Sequence, residues 1–259
     1  MTRLLSAGDG QVIYFIAAGG DNYTNGYRWS RPLPIVLSKV AGLGNANWIP
    51  YAMFCLAILG CGVLVLAVAD WLSEYTSQSW IALAVVLFPG VLSSLQWLGF
   101  EPLGLGLAIW GFRRKGRILL VLAALQRETL LAFALARKEI STFVVYFAWA
   151  GFAAFRWGWH ANSQNLGLFH FGRIEEPSVW WPLFAATAVL AFVAVASRGD
   201  ERRLAVLYIC LGLILGPAVW KHWQDFTRVL LPVWVLGFVG GVKLLSRLRI
   251  PGAVVAAST

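Results

Sequence analysis

From residue 32 onward the chain alternates long apolar blocks with short polar turns. Residues 32–42, PLPIVLSKVAG, are apolar but shorter than the roughly 20 residues that cross a bilayer, and prolines flank their start. They predict a helix lying along the membrane surface. The block at 48–70 is long enough to span. A polar turn, WLSEYTSQS, separates it from a second block at 80–98, so the two predict a helical hairpin. FEP at 100–102 then interrupts the apolar pattern, and LGLGLAIWGF predicts a short span, tilted or buried among its neighbours. Further spans are predicted at 140–155, 178–196, 204–219 and 229–245.

The block at 117–138, RILLVLAALQRETLLAFALARK, has two apolar halves around a central QRE. Read as a single span, it carries Arg127 and Glu128 to the bilayer centre and puts RGDERR (198–203) and KLLSRLR (243–249) on the outer side. Read as a re-entrant pair of half-helices, it keeps every basic cluster on one side. The second reading is preferred, because Lys and Arg in short loops set orientation and irregular backbone is tolerated at depth where it lines a cavity. The predicted fold is all-α: a polytopic helical membrane bundle of about seven spans, with a re-entrant half-helix pair and an interfacial helix. Residues 1–47 form an extracytoplasmic loop with the interfacial helix, 48–245 the bundle, and 246–259 a cytoplasmic tail.

Composition agrees with the pattern. The chain is 59% hydrophobic and 13% charged with a mean hydropathy of +0.70, against roughly 25% charged residues in soluble domains. The net charge of +9 suggests nucleic acid until its distribution is read. The basic residues sit in short clusters between apolar blocks, and twelve of the 21 fall in the turns assigned to the cytoplasm. That is the positive-inside pattern, so no nucleic-acid partner is predicted. Cys55, Cys61 and Cys210 lie inside apolar segments without metal-ligand spacing and read as packing residues. His160 and His170 also lack ligand spacing. No metal or other cofactor is predicted, although the sequence leaves room for a divalent cation.

The polar residues assigned to the outer face, or reaching it from within, are few and are functional candidates because ionisable groups against a membrane are costly. Asp9 reads either as a turn residue in a terminal segment or as a general base. Arg28 and Arg31 read either as snorkelling interface residues or as planar donor forks for a phosphate. Arg127 and Glu128 are adjacent, so their side chains diverge on a helix and need partners elsewhere; a cross-helix pair between Glu101 and Arg127 is one structural explanation. Lys221, His222, Asp225 and Arg228 crowd into eight residues before the last span, either as a solvated loop or as part of a site.

In order, DGQVIYFIAAG, GYRWSRPLPIVLSKVAGLG, FPGVLSSLQWLGFEPLGLGLAIWGFRRKG, LAALQRETLLAFALA and DFTRVLLPVWVL resemble the GT-C superfold of bacterial membrane glycosyltransferases, in particular a poorly characterised branch. The resemblance implies transfer of a sugar from a polyprenyl-phosphate carrier to a glycan, lipid or protein acceptor outside the inner membrane. It implies Asp9 as the catalytic acidic residue of the first extracytoplasmic loop. Arg28, Arg31 and Arg228 are implied for the carrier phosphate, with Glu101, Arg127, Glu128, Lys221, His222 and Asp225 shaping the same substrate-binding cavity. Members carry a transmembrane helix before that loop, whereas about eight residues precede Asp9 here, so the chain reads as lacking that helix: either the start codon is misassigned, or the chain is a truncated copy, or the first helix is dispensable. The rival reading is a non-catalytic membrane carrier or an inactive partner subunit. Carriers more often show matched discontinuities in two halves, and only one discontinuity is visible here, at 117–138.

Overall fold

The computed structural model describes residues 9–19, 31–157, 176–214 and 217–248. Arg28, His160 and His170 fall outside them, and Asp9 is described by its backbone alone. The described residues are helical throughout, with no strand. Three helices are long and apolar enough to cross a membrane: α3 (Ile49–Leu72), α9 (Pro177–Ala196) and α13 (Leu231–Leu248). Only 17% of the apolar window of α9 is buried inside the bundle. Val189 and Phe192 stand exposed on it, and an apolar face of this extent is stable against lipid rather than water. The chain is a helical membrane protein.

Ahead of α3 lie α1 (Asp9–Ala17) and α2 (Pro32–Ala41), which pack together through Ile16, Ala17 and Ile35. The hairpin partner of α3 departs from a single straight helix. It is a 3₁₀ segment, Ser79–Leu87, followed by α4, Pro89–Gln96, with a bend of 56° between them. Pro89 causes the break: the residue before a proline is pushed out of the helical region, and Phe88 is extended at φ −66°, ψ 136°. Counted as one broken span, this pair gives a fourth crossing. The remaining elements are α5 (Glu101–Arg113), α6 (Arg117–Gln126), α7 (Leu131–Arg137), α8 (Ile140–Trp157), α10 (Asp200–Ile214), α11 (Pro217–Lys221) and α12 (Trp223–Val229).

Small residues set the depth of the bundle. A Cβ on Gly60 of α3 would stand 2.9 Å from the Leu103 Cβ of α5, and one on Gly106 of α5 would stand 2.9 Å from the Leu64 backbone nitrogen of α3. The two helices therefore interlock backbone to backbone, as membrane helices do where packing replaces the hydrophobic drive. Both contacts advance along α3 and α5 in the same direction, so these helices run parallel. Gly106→Ala is expected to destabilise the fold by about 1–3 kcal/mol through overpacking. Gly62→Ala, whose Cβ would meet nothing within 4 Å, is expected to stabilise it by up to about 1 kcal/mol through helix propensity. Thermal unfolding in detergent measures both, and equal signs would contradict the interlock.

The same register fixes two ends. The end of α5 meets the end of α3, where Arg114 pairs with Asp70 at 2.7 Å and Arg113 pairs with Glu74. Lys243 near the end of α13 bonds Glu201 at 2.7 Å and the Arg198 carbonyl at 3.0 Å, and Tyr75 donates to the same Glu201 carboxylate at 3.0 Å. Burial, then the Glu201 charge, pushes the Tyr75 hydroxyl up to about 12. The basic clusters thus gather at one end of the bundle. Cys61 is buried, whereas Cys55 and Cys210 are exposed and do not fill the core as expected.

Candidate functional site

Away from the basic end, α6 and α7 meet at a break in the helix. Arg127 is extended at φ −156°, ψ 127°, and a 3₁₀ turn, Glu128–Leu130, leads into α7. Tyr208 of α10 donates its hydroxyl to the Thr129 carbonyl at 3.0 Å, which satisfies a backbone acceptor that the break removes from the helix ladder. At 1.5 Å per residue the ten residues of α6 lift this point about 15 Å from the basic end. The break turns the side chains of Arg127 and Glu128 to different neighbours, as their adjacency requires.

Two ionic groups result. Glu101, in the first turn of α5, is buried and accepts from both Arg127 and Arg228. The Arg228 fork reaches a single carboxylate oxygen, Oε1, with Nε at 3.0 Å and Nη2 closer. Position at a helix N-terminus adds to the hold on the negative charge. Arg31, at the start of α2, grips Glu128 with its whole fork: Nε to Oε2 at 2.6 Å and Nη2 to Oε1. That pair ties α2 to the break. Asp225 Oδ1 lies 3.6 Å from Arg228 Nη1 and is half exposed.

Between these groups lies a narrow cleft with an interior volume of about 30 Å³. Arg31, Glu101, Gln126, Arg127 and Arg228 line it with Gly99 and Phe100. Val12, Ile13 and Ile16 of α1 and Pro34 and Ile35 of α2 supply an apolar wall. By helical spacing, position 9 shares a face of α1 with 12, 13 and 16. A polar floor under an apolar wall suits an amphiphile with an anionic head.

Five of the sequence candidates therefore meet in three dimensions: Arg31, Glu101, Arg127, Glu128 and Arg228. Lys221 and His222, at the joint of α11 and α12, are not among the residues lining the cleft. Asp225 is not among the lining residues either, and lies beside Arg228. Gln126 was not singled out by the sequence. It is buried against Gly104, lines the cleft, and its Oε1 has no hydrogen-bond partner among the described residues. Its place in the polar QRE interruption was the available signal. Among the described residues no three His, Cys, Asp or Glu side chains are grouped to hold a metal ion. Comparison with protein-family profiles, with curated proteins and with solved structures finds no match.

Proposed function

We propose that the chain is an integral membrane glycosyltransferase that moves a sugar from a polyprenyl-phosphate carrier to an acceptor on the extracytoplasmic side of the bacterial inner membrane. The observation that carries this reading is the convergence of Arg31, Arg127 and Arg228, from three distant motifs, on one cleft with an apolar wall. Guanidinium forks recognise phosphate oxygens through paired hydrogen bonds. Glu101 and Glu128 hold those forks in place, and a carrier phosphate exchanges for the carboxylates. The apolar wall from α1 and α2 suits the prenyl chain.

The topology proposed with it has about seven spans, with α6 and α7 as a re-entrant pair. The break at Arg127, its position against the cleft and the return of α7 toward the basic end support that arrangement. The basic end then faces the cytoplasm. In the reaction, Asp9 takes the proton of an acceptor hydroxyl. The freed oxygen attacks the anomeric carbon from the face opposite the carrier, the carbon–oxygen bond to phosphate breaks, and the electron pair leaves with the phosphate. Arginines aimed at that departing charge lower the barrier.

Binding tests the reading. The full chain in nanodiscs is expected to bind polyprenyl-phosphate sugars saturably, and Arg228→Lys, which keeps the charge and loses the fork, is expected to weaken binding about tenfold, the worth of a charge-assisted hydrogen bond. No binding to any member of a panel of such carriers would overturn the proposal.

A further inference from the structure

At the basic end, two turns have the same construction. Helix α5 ends with Lys115 in the left-handed region at φ 56°, and the next amide, Gly116 N–H, bonds back to the Gly111 carbonyl at 3.0 Å. Helix α7 ends with Lys138 at φ 58°, and the Glu139 N–H bonds back to the Ala134 carbonyl at 2.9 Å. Both are helix stops of the kind that glycine ordinarily occupies. A lysine there is strained relative to glycine, and a strained residue is an invitation to ask what its side chain does.

The turns lie side by side. Arg137 donates to the Phe112 carbonyl and lies over the Phe112 ring at 5.9 Å, and Arg117 Nε lies 3.3 Å from Glu139 Oε2. These cross-links bracket Lys115 and Lys138. The neighbouring acids are already committed: Asp70 to Arg114, Glu74 to Arg113 and Glu139 to Arg117. Among the described residues, uncompensated positive charge therefore concentrates on two exposed lysines. Beside them stand Ile118 and Ile140, about three-quarters exposed. From Ile140 an exposed apolar stripe continues along α8 through Val144 and Phe147 to Phe155, at the i, i+4, i+7 spacing of one helix face.

We propose that Lys115 and Lys138 form a headgroup site for an anionic phospholipid whose acyl chain lies along the Ile140–Phe155 face of α8. Charge complementarity selects the head: a phosphatidylglycerol-type lipid carries a net negative charge, whereas phosphatidylcholine does not. The continuous apolar stripe selects a lipid over a free phosphate, which has nothing to lay along it. The site is separate from the cleft around Glu101 and stands whether or not the chain is a transferase.

Native mass spectrometry of the full chain, released from detergent with graded phosphatidylglycerol or phosphatidylcholine of the same acyl chains, tests it. The wild type is expected to retain phosphatidylglycerol preferentially. The double variant Lys115→Asn, Lys138→Asn, whose side chains tolerate the left-handed backbone, is expected to lose roughly 30-fold in that affinity, as two basic residues at an anionic surface imply. Its melting temperature is expected to hold or rise, which separates lost binding from lost fold. Inorganic phosphate at millimolar concentration is expected not to compete. Equal retention of both lipids, or a preference that survives in the double variant, would overturn the site; competition by phosphate would overturn the lipid in favour of a free anion.

Discussion

Glu101→Ala is expected to destabilise the protein by about 3–5 kcal/mol, the range for removing one partner of a buried ion pair. The loss is large because one carboxylate serves two guanidiniums, Arg127 and Arg228, and Arg228 is only 4% exposed. Without Glu101 two largely buried cations face each other uncompensated. The triple variant Glu101→Leu, Arg127→Met, Arg228→Met separates charge from packing. Well-packed apolar replacement of a buried ionic group is often neutral or stabilising, so this variant is expected to recover most of the lost stability while losing carrier binding. Chemical unfolding in detergent, followed by tryptophan fluorescence, reads the stability of both variants, and the nanodisc binding assay reads the loss of carrier. A Glu101→Ala protein as stable as wild type would show that the cluster is hydrated and that its ion pairs hold little together.

Asp9→Asn is expected to lower sugar transfer by roughly 10²–10⁴-fold, the contribution of a positioned general base, while carrier binding stays unchanged. Asparagine keeps the size and hydrogen-bonding of the side chain but cannot take a proton from the acceptor. The split distinguishes a base from a binding residue, because loss of a phosphate contact would weaken both. Single-turnover transfer with a radiolabelled carrier, run beside an equilibrium binding assay, measures the two quantities on the same preparation. Transfer at the wild-type rate would remove Asp9 from the mechanism.

Much of this arrangement was legible in the chain because the strongest signals in a membrane protein are one-dimensional. The apolar block at 48–70 predicts α3 to within two residues of each end, since lipid leaves a long apolar segment no other backbone-satisfying choice. The polar QRE within 117–138 marks the helix break at Arg127 for the same reason. The bend at Pro89 was written in the sequence too, yet the 80–98 block reads as one apolar run when hydropathy is weighed alone. Pairing was harder to foresee. The adjacency of Arg127 and Glu128 says that they part, but only the close approach of α5 and α6 at Gly104 and Gly111 brings Glu101 to one, and only the packing of α2 brings Arg31 to the other. The seclusion of Gln126, and the absence of Lys221 and His222 from the lining of the cleft, depend on helix rotation and on the α11–α12 joint, which no spacing rule encodes.

The central claim is that the cleft bounded by Arg31, Arg127 and Arg228 holds the carrier phosphate. Photo-crosslinking with a polyprenyl-phosphate sugar that bears a diazirine on the first isoprene unit, followed by peptide mapping, tests it most directly. The account predicts labelling on α1 and α2 around Val12, Ile13, Ile16 and Ile35, suppressed by excess unlabelled carrier and reduced in Arg228→Lys. Labelling confined to the exposed faces of α8 and α9, and insensitive to competition, would contradict it.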